Sequence, residues 1–80
     1  MNIHHPFELI IGGLYEHYKG NRYRLMNVAK HSETLELMVV YECLYDNPEG
    51  LIWVRPLSMF SEVVEVKGQK VPRFKLIRSS

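Results

Sequence analysis

Apolar and polar residues alternate with a period of two along most of this chain, and Gly, Pro or Asn breaks the alternation at short intervals. That pattern predicts short strands joined by tight turns. Gly12-Gly13 precedes a strand over 14–18, and Lys19-Gly20-Asn21 reads as a hairpin turn because Gly and Asn tolerate positive φ. A second strand follows over 22–30. Its phase slips near Leu25-Met26, since Tyr23 and Leu25 share one parity and Met26 and Val28 the other, which predicts a β-bulge. His31-Ser32-Glu33-Thr34 forms the next turn.

Residues 35–45 make the longest strand candidate, with Leu35, Leu37, Val39, Tyr41, Cys43 and Tyr45 on one face and Met38, Val40 and Leu44 on the other. A strand apolar on both faces is central or wraps round a barrel. A loop over 46–50 leads to a short strand over 51–55, and Pro56 opens one helical or 3₁₀ turn over 56–61. Strands over 62–66 and 71–77 flank the tight turn Lys67-Gly68-Gln69, and Pro72 marks the last of them as starting at an edge. The fold class expected is all-β: a small barrel, closed or half-closed, of five or six short antiparallel strands with one helical turn. Leu25, Val28, Leu37, Val39, Trp53, Val64 and Phe74 are its expected core.

Composition narrows the picture. A chain of 80 residues accommodates one domain with a small core. Its formal charge of +1 is a poor match for long duplex DNA, whose binding draws on many phosphate contacts. Cys43 is the sole cysteine, so no intrachain disulfide forms. The absence of a signal-peptide pattern or a membrane-length apolar run predicts a cytoplasmic protein without a membrane partner.

The candidate chemistry is sparse. The four histidines and Cys43 lack the close-spaced ligand pairs of a zinc site, so neither metal nor cofactor is expected. Cys43 sits in an apolar strand, where a thiol behaves as a small hydrophobe. His31 with Glu33 makes an acid–base pair or merely a turn. The aromatics say more. Most fill the core of a small barrel, Tyr23, Tyr41 and Phe74 among them, but a Tyr- and Trp-lined groove edged by Arg or His grips peptides, bases or small ligands. If Leu14 faces inward, Tyr15 and His17 face outward together, and Trp53 and Arg55 share one parity. Arg55 is otherwise a structural partner for Glu33, Glu42 or Glu62.

Several short stretches carry a family resemblance: Tyr15, His17-Tyr18-Lys19-Gly20-Asn21, Tyr23, Ala29, His31-Ser32-Glu33-Thr34, Val40-Tyr41, Leu44-Tyr45, Trp53-Val54-Arg55-Pro56, Met59-Phe60 and Val71-Pro72-Arg73-Phe74. Together they resemble the bacterial domain of unknown function 1653 family. The resemblance implies an SH3-like barrel in a short bacterial protein and brings no activity with it. It divides the chain into an N-terminal extension over 1–12 and a barrel domain over 13–78. The reading that follows is a recognition module binding a peptide, a nucleic-acid base or a small molecule through Tyr15, His17, Tyr18, His31, Glu33, Trp53 and Arg55 on one rim or groove. The alternative is an enzyme or enzyme subdomain with His31 or His17 near Glu33 as an acid–base centre.

Overall fold

In the computed structural model, which describes residues 9–79, the alternating segments become seven strands and one helical turn. The strands are β1 (Leu14–His17), β2 (Arg22–Lys30), β3 (Leu37–Cys43), β4 (Ile52–Pro56), β5 (Val63–Val66), β6 (Gln69–Pro72) and β7 (Phe74–Arg78), and α1 (Leu57–Phe60) lies between β4 and β5. They form two antiparallel sheets, one ordered β4-β3-β2-β1-β7 and one a β5-β6 ribbon. The protein is an all-β domain. Its larger sheet ends at β4 and β7, and no ladder between those two strands closes it.

The turns form where the backbone demands them. Gly20 takes φ 110° between β1 and β2, while Lys67 and Gly68 both take positive φ (51° and 80°), as a two-residue hairpin between β5 and β6 requires. The expected bulge is present: Leu25 pairs with Tyr41 and Asn27 with Val40, so Met26 is the extra residue. It resets the parity of β2 so that Leu25 and Val28 both reach the core. One strand more than expected arises because the final segment divides at Arg73. Pro72 has no N–H to offer a ladder. The Arg73 N–H turns to the Glu62 carbonyl and its own carbonyl accepts from Tyr18, so the chain crosses there from the ribbon to the main sheet.

Tyr15, Leu25, Val39, Phe60 and Phe74 are fully buried, and Tyr41 completes their cluster. Leu25, Val39 and Phe74 were expected there, and Val28 and Trp53 pack against the cluster from its margin. Two expectations need correction. Leu37 is 41% exposed because it pairs with Lys30 at the far end of β2, beyond the reach of the core. Val64 is half-buried on the ribbon, outside the cluster. Tyr15 and Phe60 take the central places instead, with rings edge-to-face at 5.5 Å. Phe60 arrives through α1, whose start is set by Pro56 at φ −53° and whose end is held by the Ser61 hydroxyl donating to the Leu57 carbonyl.

The inward turn of Tyr15 also reverses its expected outward face. Leu14 and Tyr15 are both buried, and the pairing of β1 with β7 shifts register between them. The Ile10 N–H donates to the Tyr15 hydroxyl at 3.0 Å, satisfying that oxygen inside the core. Residues 9–12 are thus tied to the domain: Leu9 packs on the cluster, and the Arg24 guanidinium donates to the Gly12 carbonyl at 2.7 Å. The remainder of the 1–12 extension lies outside the described residues.

These placements separate two substitutions that strand periodicity would rank the other way. Phe60→Ala should cost about 3–5 kcal/mol by leaving a cavity at the centre of the cluster. Leu37→Ala should cost well under ~1 kcal/mol, as at other exposed positions. Urea denaturation of the two variants checks the order.

Candidate functional site

Antiparallel register gathers one end of β2, β3 and β4. Tyr23 pairs with Cys43 and Tyr41 with Trp53. Arg55 lies opposite the fully buried Val39, on the same inner face. The loop after β3 adds Tyr45 and Asn47. Tyr23, Tyr41, Cys43, Tyr45, Asn47, Trp53 and Arg55 enclose a pocket of about 180 Å³.

The walls of this pocket are held by hydrogen bonds and ring contacts. Tyr23 stands edge-on to Tyr41 and Tyr45, with ring centroids 5.3 and 5.6 Å apart. The Tyr23 and Tyr45 hydroxyls share a hydrogen bond of 3.1 Å. The Asn47 amide donates to the Tyr45 hydroxyl and to the Cys43 sulfur, at 3.4 and 3.6 Å. The Trp53 indole N–H donates to the Gly50 carbonyl at 3.1 Å, which fixes the ring and presents its face. The hydrogen bond with Tyr23 and then desolvation push the Tyr45 pKa upward. Burial raises that of Tyr41, partly opposed by the Arg55 guanidinium beside it. Both phenols therefore keep their protons at neutral pH.

Arg55 is half-buried, its guanidinium 5.3 Å from the centre of the Phe74 ring. The carboxylate partners considered for it do not serve that role: Glu62 binds Arg73 at 2.8 Å, and Glu33 and Glu42 form no ion pair among the described residues. Among the described residues, no carboxylate forms an ion pair with Arg55.

The remaining sequence candidates disperse. His17 and Tyr18 line a separate cleft of about 460 Å³ whose other wall is Val66, Val71 and Pro72. The His17 ring stands edge-on to Phe74 at 4.9 Å, so Phe74 touches both His17 and Arg55. His31 and Glu33 lie beyond the opposite end of β2, a strand of nine residues that spans roughly 30 Å at ~3.3 Å per residue. There His31 Nδ1 accepts the backbone N–H groups of Glu33 and Thr34 at 3.1 and 3.3 Å, which makes it a turn cap. Tyr15 is enclosed in the core. The structure thus brings together Trp53 with Arg55 and His17 with Tyr18, and keeps His31 and Glu33 apart from both.

Tyr23, Tyr41, Tyr45, Cys43 and Asn47 belong to the pocket but were not among the sequence candidates. Their signal was the shared parity of Tyr41, Cys43 and Tyr45, which points three polar-tipped side chains to one side of a strand end. Among the described residues, no three His, Cys, Asp or Glu side chains converge as metal ligands, and no helix is long and apolar enough to cross a membrane.

The fold and this pocket define the class: a small all-β domain carrying a compact aromatic cavity at one end of its main sheet. The family follows from comparison. The sequence profile described as "Protein of unknown function (DUF1653)" matches residues 13–76, and the chain belongs to that family. A crystal structure of a protein of the same family from Bordetella bronchiseptica is 32% identical, covers 94% of this chain and 92% of its own, and superposes with a TM-score of 0.81. No curated protein matches the chain.

His17 supplies a pH test. Its pKa is held below the ordinary 6.5 by desolvation first and then by the charges of Arg55, Arg73 and Lys19. Its Nδ1 also accepts the Lys19 N–H at 3.1 Å, a bond that only the neutral ring sustains. The unfolded chain therefore binds the proton more readily. Stability should be unaffected by this group above its unfolded pKa and should fall as pH drops from there through the lower folded value. An NMR titration of the His17 ring should show a midpoint below 6.5, and His17→Gln should flatten this part of the denaturation profile between about pH 7 and pH 5.

Proposed function

We propose that the domain is a small recognition module, acting in the bacterial cytoplasm, that binds a ligand in the pocket between Trp53, the three tyrosines and Arg55. The observation carrying this reading is Arg55 itself. Its half-buried guanidinium meets the Tyr41 hydroxyl and the Phe74 face but, among the described residues, no carboxylate, so its charge is only partly compensated beside a polar-tipped aromatic cavity. Ligands that supply the missing contacts offset the rest. The cavity is smaller than those that enclose drug-sized molecules. It suits one ring or head group, such as a peptide side chain or terminus, a base, or a small metabolite. The enzyme alternative gains no support from His31, whose Nδ1 is engaged in its own turn.

The test is NMR shift mapping of the ¹⁵N-labelled protein against peptides, nucleosides and small organic acids, with the Trp53 indole as reporter. A binding ligand should move the Trp53 indole and the amides of Cys43, Tyr45 and Arg55. Arg55→Ala should weaken that ligand by about ten- to a hundredfold while leaving the rest of the spectrum folded. Shifts confined to the cleft beside His17, or to none of these positions, would remove the pocket from consideration.

A further inference from the structure

The hydrogen-bonding balance of the pocket is one-sided. The Asn47 Oδ1, its best neutral acceptor, already receives the Glu49 N–H at 3.0 Å. The Asn47 amide protons go to Tyr45 and Cys43, so the thiol sulfur, a weak acceptor, is occupied too. The Trp53 N–H is taken by Gly50. Within the Tyr23–Tyr45 pair, one hydroxyl donates to the other. If Tyr45 donates, the Tyr23 proton remains available; if Tyr23 donates, the Tyr45 proton has the Cys43 sulfur as a weak acceptor beside it. Arg55 adds a positive charge and a planar fork of five N–H groups, of which the Tyr41 hydroxyl engages only part. Among the described residues, no Asp or Glu lines the cavity.

What remains uncommitted is donor capacity and positive charge, set against aromatic faces. An aromatic cage for an alkylammonium group has the reverse balance, for it relies on ring faces without a resident cation. A neutral base would bring donors of its own to a wall already rich in them. Resting on the recognition reading above, we infer that the pocket takes the carboxylate of a small planar ligand, gripped by the Arg55 fork and by the uncommitted phenol proton of the Tyr23–Tyr45 pair, with the ligand's apolar body against Trp53. The volume of about 180 Å³ limits that body to about one ring. Two sources present this chemistry: a free aromatic acid, or the C-terminal residue of a peptide chain.

The experiment titrates the labelled full chain with benzoate, its neutral analogue benzamide, its cationic analogue benzamidine, inorganic phosphate and adenosine. It adds a short peptide ending in phenylalanine, once with a free C-terminus and once amidated. Benzoate should move the Trp53 indole and the Arg55 side-chain resonances and bind at least about tenfold more tightly than benzamide or benzamidine, the usual worth of one charge-assisted contact. Arg55→Ala should abolish that preference. Arg55→Lys, which keeps the charge and loses the fork, should retain only part of it, and Tyr23→Phe, which removes a phenol proton from the pair, should reduce it; benzoate binding unchanged in Tyr23→Phe removes the phenol from the assignment. Tighter binding of the free-ended peptide than of benzoate identifies a chain terminus as the source, and the reverse a free acid; an amidated peptide that binds as well as the free one counts against the carboxylate. Pocket shifts with benzamidine, adenosine or phosphate that equal or exceed those with benzoate overturn the carboxylate assignment and leave the recognition reading standing. If no probe moves any pocket resonance, both readings fall.

Discussion

The Phe74 ring is the contact on which the rest of this small domain depends. It stacks on Phe60 with centroids 4.1 Å apart and planes 6° from parallel. His17, Tyr23 and Tyr41 approach it edge-on or tilted at 4.9, 5.5 and 5.8 Å, and the Arg55 guanidinium lies over it. Phe74 opens β7 and Arg55 lies in β4, the two edges of the main sheet. No backbone ladder joins those edges, so side-chain packing around Phe74 links them. A domain of this size has little apolar surface to bury, and aromatic rings supply a large area for each residue ordered.

The same cluster explains why the pocket is polar although it adjoins the core. Tyr23 and Tyr41 turn their ring edges toward Phe74 and carry their hydroxyls at the pocket side, among Tyr45, Cys43 and Arg55. Core packing therefore fixes the rings, and the ring positions fix the donors. Arg55 is placed in the same way, its charge resting on the Phe74 face rather than on any carboxylate among the described residues. Fixed donors lose little conformational freedom when a ligand arrives, which is the physical basis for expecting recognition there.

Much of the fold was legible in the chain because turns and parity are local properties. The hairpin at Gly20, the bulge at Met26, the helical turn after Pro56 and the reversal at Lys67-Gly68 each follow from a few neighbouring residues. The division at Arg73 was not legible from periodicity, since the alternation of Pro72, Phe74 and Leu76 with Arg73 and Lys75 runs straight through a crossing set by backbone partners at Glu62 and Tyr18, both distant in sequence. The inward face of Tyr15 was hidden for a similar reason: its hydroxyl is satisfied by Ile10 from a segment with no strand pattern. Trp53 and Arg55 were legible as a pair because one strand carries both. Their pocket partners were not, because register between β2, β3 and β4 had first to bring Tyr23 and Cys43 face to face. His31 and Glu33 looked like chemistry and serve as a turn, a distinction that depends on which backbone N–H groups the imidazole meets.

The central claim is that Phe74 holds Arg55 at the pocket, and ring-current shifts measure that contact directly. The side-chain protons of Arg55 should resonate upfield of their random-coil positions, show nuclear Overhauser contacts to the Phe74 ring, and lose both in a folded Phe74→Leu variant. Random-coil shifts for Arg55 in the unmodified protein, with no contact to Phe74, would contradict it.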